Sequence, residues 1–73
     1  MQGVIRNVRG DGFYGFIKTN KGDYFFHKSE FDGHWADLLE DIDAGEEIEV
    51  EFEPTRTDKG LRAVGVRRIY GGV

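Results

Sequence analysis

The chain has 73 residues, room for a single domain over 1–73, and its lack of cysteine excludes disulfides and thiolate zinc sites. Its histidines, His27 and His34, are too few for a metal centre, and no apolar run nears the roughly 20 residues of a bilayer span, so we expect a cytoplasmic protein with no metal, cofactor or membrane partner. The net charge of −4 argues against nucleic acid until its distribution is counted: residues 1–28 carry five bases against two acids, 29–53 eleven acids and no base, and 54–73 five bases against one acid. Folding could gather the two ends into a basic face opposite an acidic one.

Taken in chain order, short β-branched and aromatic runs alternate with glycine-rich turns, the pattern of an all-β barrel or sandwich. Val4–Val8 reads as a first strand. Tyr14–Thr19 and Asp23–His27 form the second and third, joined into an antiparallel hairpin by Asn20-Lys21-Gly22. Trp35, Leu38, Leu39 and Ile42 fall at i, i+3, i+4 and i+7, which predicts a short helix started by Asp32, Gly33 or His34 and ended near Gly45. Glu46–Glu53 is a fourth strand, since Ile48, Val50 and Phe52 alternate with glutamates. Pro54 should end that strand or sit at its edge; Thr57-Asp58-Lys59-Gly60 then turns the chain into a last strand, Leu61–Tyr70.

The hairpin carries the functional signal. Alternation puts Tyr14, Phe16 and Lys18 on one face with Phe25 and His27, and sends Ile17, Tyr24 and Phe26 to the other. One small core cannot take both sets of rings, so the outward set is expected as an exposed aromatic platform edged by Lys18 and Lys28, with Gly15 keeping it flat. Bases of single strands stack on such rings while lysine and arginine track the phosphates. No catalytic constellation competes: Ser29 lies two residues from His27, but nothing supplies a third member or an oxyanion hole, and no small-molecule substrate is expected. The rival is a protein-interaction module that docks a partner on the same rings.

These residues resemble a known family. Gly12-Phe13-Tyr14-Gly15-Phe16-Ile17 is similar to the first ribonucleoprotein motif of the cold-shock domain, usually Lys-Gly-Phe-Gly-Phe-Ile, and Tyr24-Phe25-Phe26-His27 to its second, usually Val-Phe-Val-His. Gly3-Val4-Ile5-Arg6, Val50-Glu51-Phe52 and Gly60-Leu61-Arg62-Ala63-Val64-Gly65-Val66 fit its opening, fourth and closing strands. The resemblance implies a five-stranded antiparallel Greek-key barrel of the OB type, here with a short helical segment between strands 3 and 4. It further implies a monomer that binds single-stranded RNA or DNA with low sequence specificity, as an RNA chaperone or a regulator of transcription or translation. The candidate contacts are Tyr14, Phe16, Phe25, His27, Lys18, Lys28, Arg6, Asn7 and Trp35.

Departures from the family pattern temper this. Gly12 stands where the family has lysine, and Phe13 where it has glycine, which parity sends inward or into a bulge. Asn7 takes the place of a stacking tryptophan, Val8 that of the phenylalanine after it, and Lys28 that of an aromatic after the histidine. Weaker stacking and more reliance on charge are therefore expected. Trp35 is either a replacement ring from the loop or part of a helical lid.

Overall fold

The computed structural model describes residues 1–69 as a strand barrel with one short helix. Its strands are β1 (Gln2–Arg9), β2 (Tyr14–Thr19), β3 (Gly22–His27), β4 (Phe31–Asp32), β5 (Glu49–Thr57) and β6 (Gly60–Arg68). A single 3-10 turn, Lys28–Glu30, precedes β4, and helix α1 (Trp35–Asp43) lies between β4 and β5. All five expected strands and the helix are present, the fourth running Glu49–Thr57 in place of 46–53; β4 is a two-residue addition, and Tyr70, expected in the last strand, lies outside the described residues.

The sheet order is β3-β2-β1-β5-β6-β4. The main ladders, β1–β2, β2–β3, β1–β5 and β5–β6, are antiparallel, and a parallel bridge between Phe25 and Arg62 closes β3 onto β6. Closure leaves few open strand edges, a device that suppresses edge-to-edge association. Both hairpin turns use the same chemistry. In Thr19-Asn20-Lys21-Gly22 the threonine hydroxyl donates to the glycine carbonyl (2.8 Å) and accepts from the lysine N–H (3.0 Å). Thr57-Asp58-Lys59-Gly60 repeats this at 3.1 and 3.2 Å, and Gly22 and Gly60 take φ of 119° and 122°, where a Cβ would be strained.

Two irregularities set side-chain directions. Ile5 pairs with Ile17 and Val8 with Gly15, so β1 carries one residue more than β2 between those pairs. This bulge turns Arg6 and Asn7 both outward, which strict alternation forbids. In β6 the shift falls opposite Glu51 and Glu53, where Gly65 adopts φ 59°. Of the two places expected for Pro54, the edge of the strand is the one observed. The proline pairs with Ala63, and the strand runs on to Thr57, because among the described residues β5 beyond Phe52 has β6 alone as partner and tolerates an edge proline.

The core joins Ile5, Ile17, Phe26, Val50, Phe52 and Val66 with the helix residues Trp35 and Leu38. Leu39 and Ile42 complete the apolar stripe as half-buried neighbours. The helix ends in a Schellman arrangement: Gly45, at φ 84°, donates its N–H to the Ile42 carbonyl, and Glu46 donates to Asp41. His34 is the N-cap, but its side chain makes no capping bond.

Gly15 faces this core. A Cβ built there would lie 2.9 Å from the Phe26 ring and 3.1 Å from the Asn7 carbonyl oxygen, so glycine serves close ring-to-backbone packing inside the barrel rather than flatness outside it. Gly15→Ala is expected to destabilise the fold by about 1–3 kcal/mol through overpacking, measured by urea unfolding; a change under 0.5 kcal/mol would contradict the contact.

Candidate nucleic-acid interface

The β2–β3 ladder pairs Tyr14 with His27, Phe16 with Phe25, and Lys18 with Asp23. Tyr14, Phe16, Phe25 and His27 are accordingly half-buried on the outer face, while Ile17, Tyr24 and Phe26 are buried on the inner one. The outer rings touch one another. Tyr14 and Phe25 stack with centroids 5.5 Å apart and planes at 29°, and Phe16 meets both edge-on at 6.0 and 5.8 Å. Ring pairs of this kind add about 0.5–1.5 kcal/mol beyond area burial, so the platform is held in shape by its own members.

His27 is fixed by the chain that follows it. The Ser29 N–H donates to Nδ1 at 3.1 Å and the Ser29 hydroxyl lies 3.0 Å from the same nitrogen, capping the 3-10 turn. With Nδ1 accepting, the neutral ring carries its hydrogen on Nε2. The pairing of His27 with Ser29 is thus a local cap, which accounts for their closeness in sequence.

Beside the rings lies an open groove of 520 Å³, walled by Phe16, Phe25 and His27 on one side and by Thr57, Lys59 and Leu61 on the other, with Arg62 also lining it. The Arg62 guanidinium sits 5.8 Å over the Phe25 ring, within cation–π range. Sequence reasoning did not select Lys59, Leu61 or Arg62. They reach the platform only because β6 closes the barrel against β3, a contact between residues 37 apart that no local spacing encodes. The one available signal was parity in the last strand, where Arg62 alternates with the inward Ala63.

The remaining candidates separate. Lys18 and Lys28 are exposed at the edges of the hairpin, and the β1 bulge exposes Arg6 and Asn7 next to the strand that bears Phe16. Trp35 is not on this face. It is 7% exposed, packed edge-on against Phe26 (6.0 Å) and Phe31 (6.1 Å), with Nε1 buried and without a hydrogen-bond partner among the described residues. The lid reading describes its position, because the helical stripe needs its ring to cover the barrel end.

Phe13 corrects the parity argument. It is neither inward nor in a bulge: its φ of 56° breaks strand alternation just before Tyr14 and leaves the ring 47% exposed, with the Lys28 ammonium 5.0 Å from its centroid. A bulky residue in this region costs about 1–3 kcal/mol. Gly12 is explained by Tyr14, whose ring lies where a Cβ at position 12 would stand. Gly12→Lys should therefore push the Tyr14 ring off Phe25, seen as loss of cross-ring contacts in NMR spectra; unchanged contacts would show that Tyr14 has room to spare.

The tail bases are divided too. Arg67 pairs with Glu51 at 2.6 Å and Arg68 with Asp41 at 2.7 Å, tying these two to the acidic middle of the chain, while Lys59 and Arg62 face the groove.

Comparison with known proteins agrees with this geometry. Residues 1–69 match the family model of the 'Cold-shock' DNA-binding domain. The chain is also 37% identical, over 57 residues that cover 77% of it and 79% of the relative, to the retron Se72 cold shock-like protein of Salmonella heidelberg (strain 579083-10). A strand barrel closed by β3 and β6, two ribonucleoprotein-like strands side by side and a match over nearly the whole described chain lead to one conclusion: this protein belongs to the cold-shock domain family, a non-enzymatic family of nucleic-acid-binding domains.

Proposed function

We propose that the protein, a single domain over 1–73, binds single-stranded RNA or DNA as a cytoplasmic monomer, with low sequence specificity, and acts as an RNA chaperone or a regulator of transcription or translation. The observation that carries this reading is the outer ring cluster: Tyr14, Phe16 and Phe25 in mutual contact on the solvent side of a hairpin whose inner rings already fill the core. Three aromatic rings held half-exposed beside a groove lined by Lys59 and Arg62 suit flat bases linked by phosphates.

Each part has a role in this reading. Tyr14, Phe16, Phe25 and His27 offer ring faces to successive bases, and Arg6, Lys18 and Lys28 meet phosphates. Asn7 borders the platform without a ring. Stacking tolerates every base, so specificity is modest and leans toward pyrimidines. The acidic stretch from Asp37 to Glu53 repels phosphates and so steers a strand toward the basic residues around the platform.

Phe16→Ala and Phe25→Ala are each expected to weaken binding of a labelled oligothymidine or oligouridine by about 1–3 kcal/mol with little change in Tm. Equal losses of stability would mark these rings as core. Affinity should fall with salt, each neutralised phosphate adding about −0.7 to the slope of log K against log salt, and a folded protein that binds no oligonucleotide at low salt would overturn the reading. Asn7→Trp, which sets a ring on the exposed bulge next to Phe16, should tighten binding; unchanged affinity in an anisotropy titration would place β1 outside the contact surface.

A further inference from the structure

Phe13 is the most exposed large hydrophobic side chain among the described residues, ahead of Met1 at 37%, and it alone among their non-glycine residues has a positive φ. Both features work against stability, since they leave an apolar ring in water and hold a bulky residue where glycine is at ease. Strain of this kind persists where the surroundings impose it, and it gathers at ligand clamps.

Lys28 supplies the constraint. Its N–H donates to the Phe13 carbonyl at 2.7 Å, next to the Tyr14–His27 pair, so the two residues face each other just beyond the last rung of the β2–β3 ladder. Its ammonium then hangs over the Phe13 ring. These positions are also two of the chain's departures from the family pattern: a ring stands in place of the glycine, and a lysine in place of the aromatic after the histidine.

Resting on the reading above, we propose that Phe13 and Lys28 form an additional nucleotide subsite at the Tyr14 end of the platform, taking one base and its phosphate. One ring beside one ammonium matches the repeating unit of a single strand, a π face and an anion. A lysine over an exposed ring is weakly held, whereas a phosphate oxygen is a charge-assisted partner. As the strand arrives, the ammonium leaves the ring for the phosphate, and the base occupies the ring face it uncovers.

The test is Phe13→Gly, because strain and binding then move in opposite directions. Glycine accepts the left-handed backbone, so Tm should hold or rise, while affinity for fluorescein-labelled oligothymidine should drop about tenfold. With oligothymidines of graded length, the length at which affinity levels off should shorten by about one nucleotide. Lys28→Gln should flatten the salt slope by about 0.7. Phe13→Asn, which also tolerates this backbone and lacks a ring, should reproduce the loss. Wild-type affinity and an unchanged plateau in Phe13→Gly would overturn the proposal, as would a fall in Tm, which would make the ring part of the fold. Phe25→Ala separates this outcome from the wider one: if it loses binding while Phe13→Gly does not, the platform stands and the extra subsite falls, whereas a wild-type protein that does not bind at low salt removes the platform reading itself.

Discussion

Gly15 and Phe26 face each other across the hairpin, and the Phe26 ring lies against the bare backbone of Gly15. That contact fixes the register on which both surfaces depend. A slip of one residue would exchange the faces of every side chain, sending Phe16 and Phe25 into the barrel and Ile17, Tyr24 and Phe26 into water. Because Phe26 is fully buried and Gly15 has no room for a methyl group, the inner face admits one arrangement. The outer rings inherit their positions from it: Tyr14 and Phe16 flank Gly15, Phe25 and His27 flank Phe26, and their mutual contacts then hold the cluster together. Core packing and surface chemistry are thus two sides of one ladder.

Electrostatics is arranged by the same closure. A net charge of −4 is compatible with a cationic face because the acids are confined largely to α1 and to β5 with the segment before it, while β1 and the β2–β3 hairpin carry few. The C-terminal bases do not act as one block. Arg67 and Arg68 answer Glu51 and Asp41, whereas Arg62, near the start of β6, and Lys59, in the turn before it, line the groove beside the rings. One strand therefore joins the acidic and cationic sides of the barrel, and its Gly65 irregularity falls between the two sets.

Much of this was legible in the residues. Period-two alternation located the hairpin and divided its rings, and the i, i+3, i+4, i+7 spacing located the helix to within a residue, because both signals are local and strong. What escaped was either long-range or conformational. The pairing of Phe25 with Arg62 depends on barrel closure, so the far wall of the groove had no local signature. The bulge in β1 and the left-handed Phe13 break alternation at single residues, and parity cannot foresee where alternation stops. Glycine in the family pattern at that position was the sole hint. Pro54 left two places open, a strand end or an edge, and local sequence does not choose between them; the edge strand with one partner accommodates it.

The burial of Trp35 has a practical consequence. As the chain's single tryptophan, it sits between the helix and the barrel, against Phe26 and Phe31, on the inner side of the hairpin. Its ultraviolet emission is a gauge of the seam between α1 and the strands. A red shift reports the helix lifting from the barrel end, whereas events confined to the outer rings leave the indole in the same apolar surroundings. The molecule carries its own optical thermometer of integrity, separate from the surface on which its chemistry takes place.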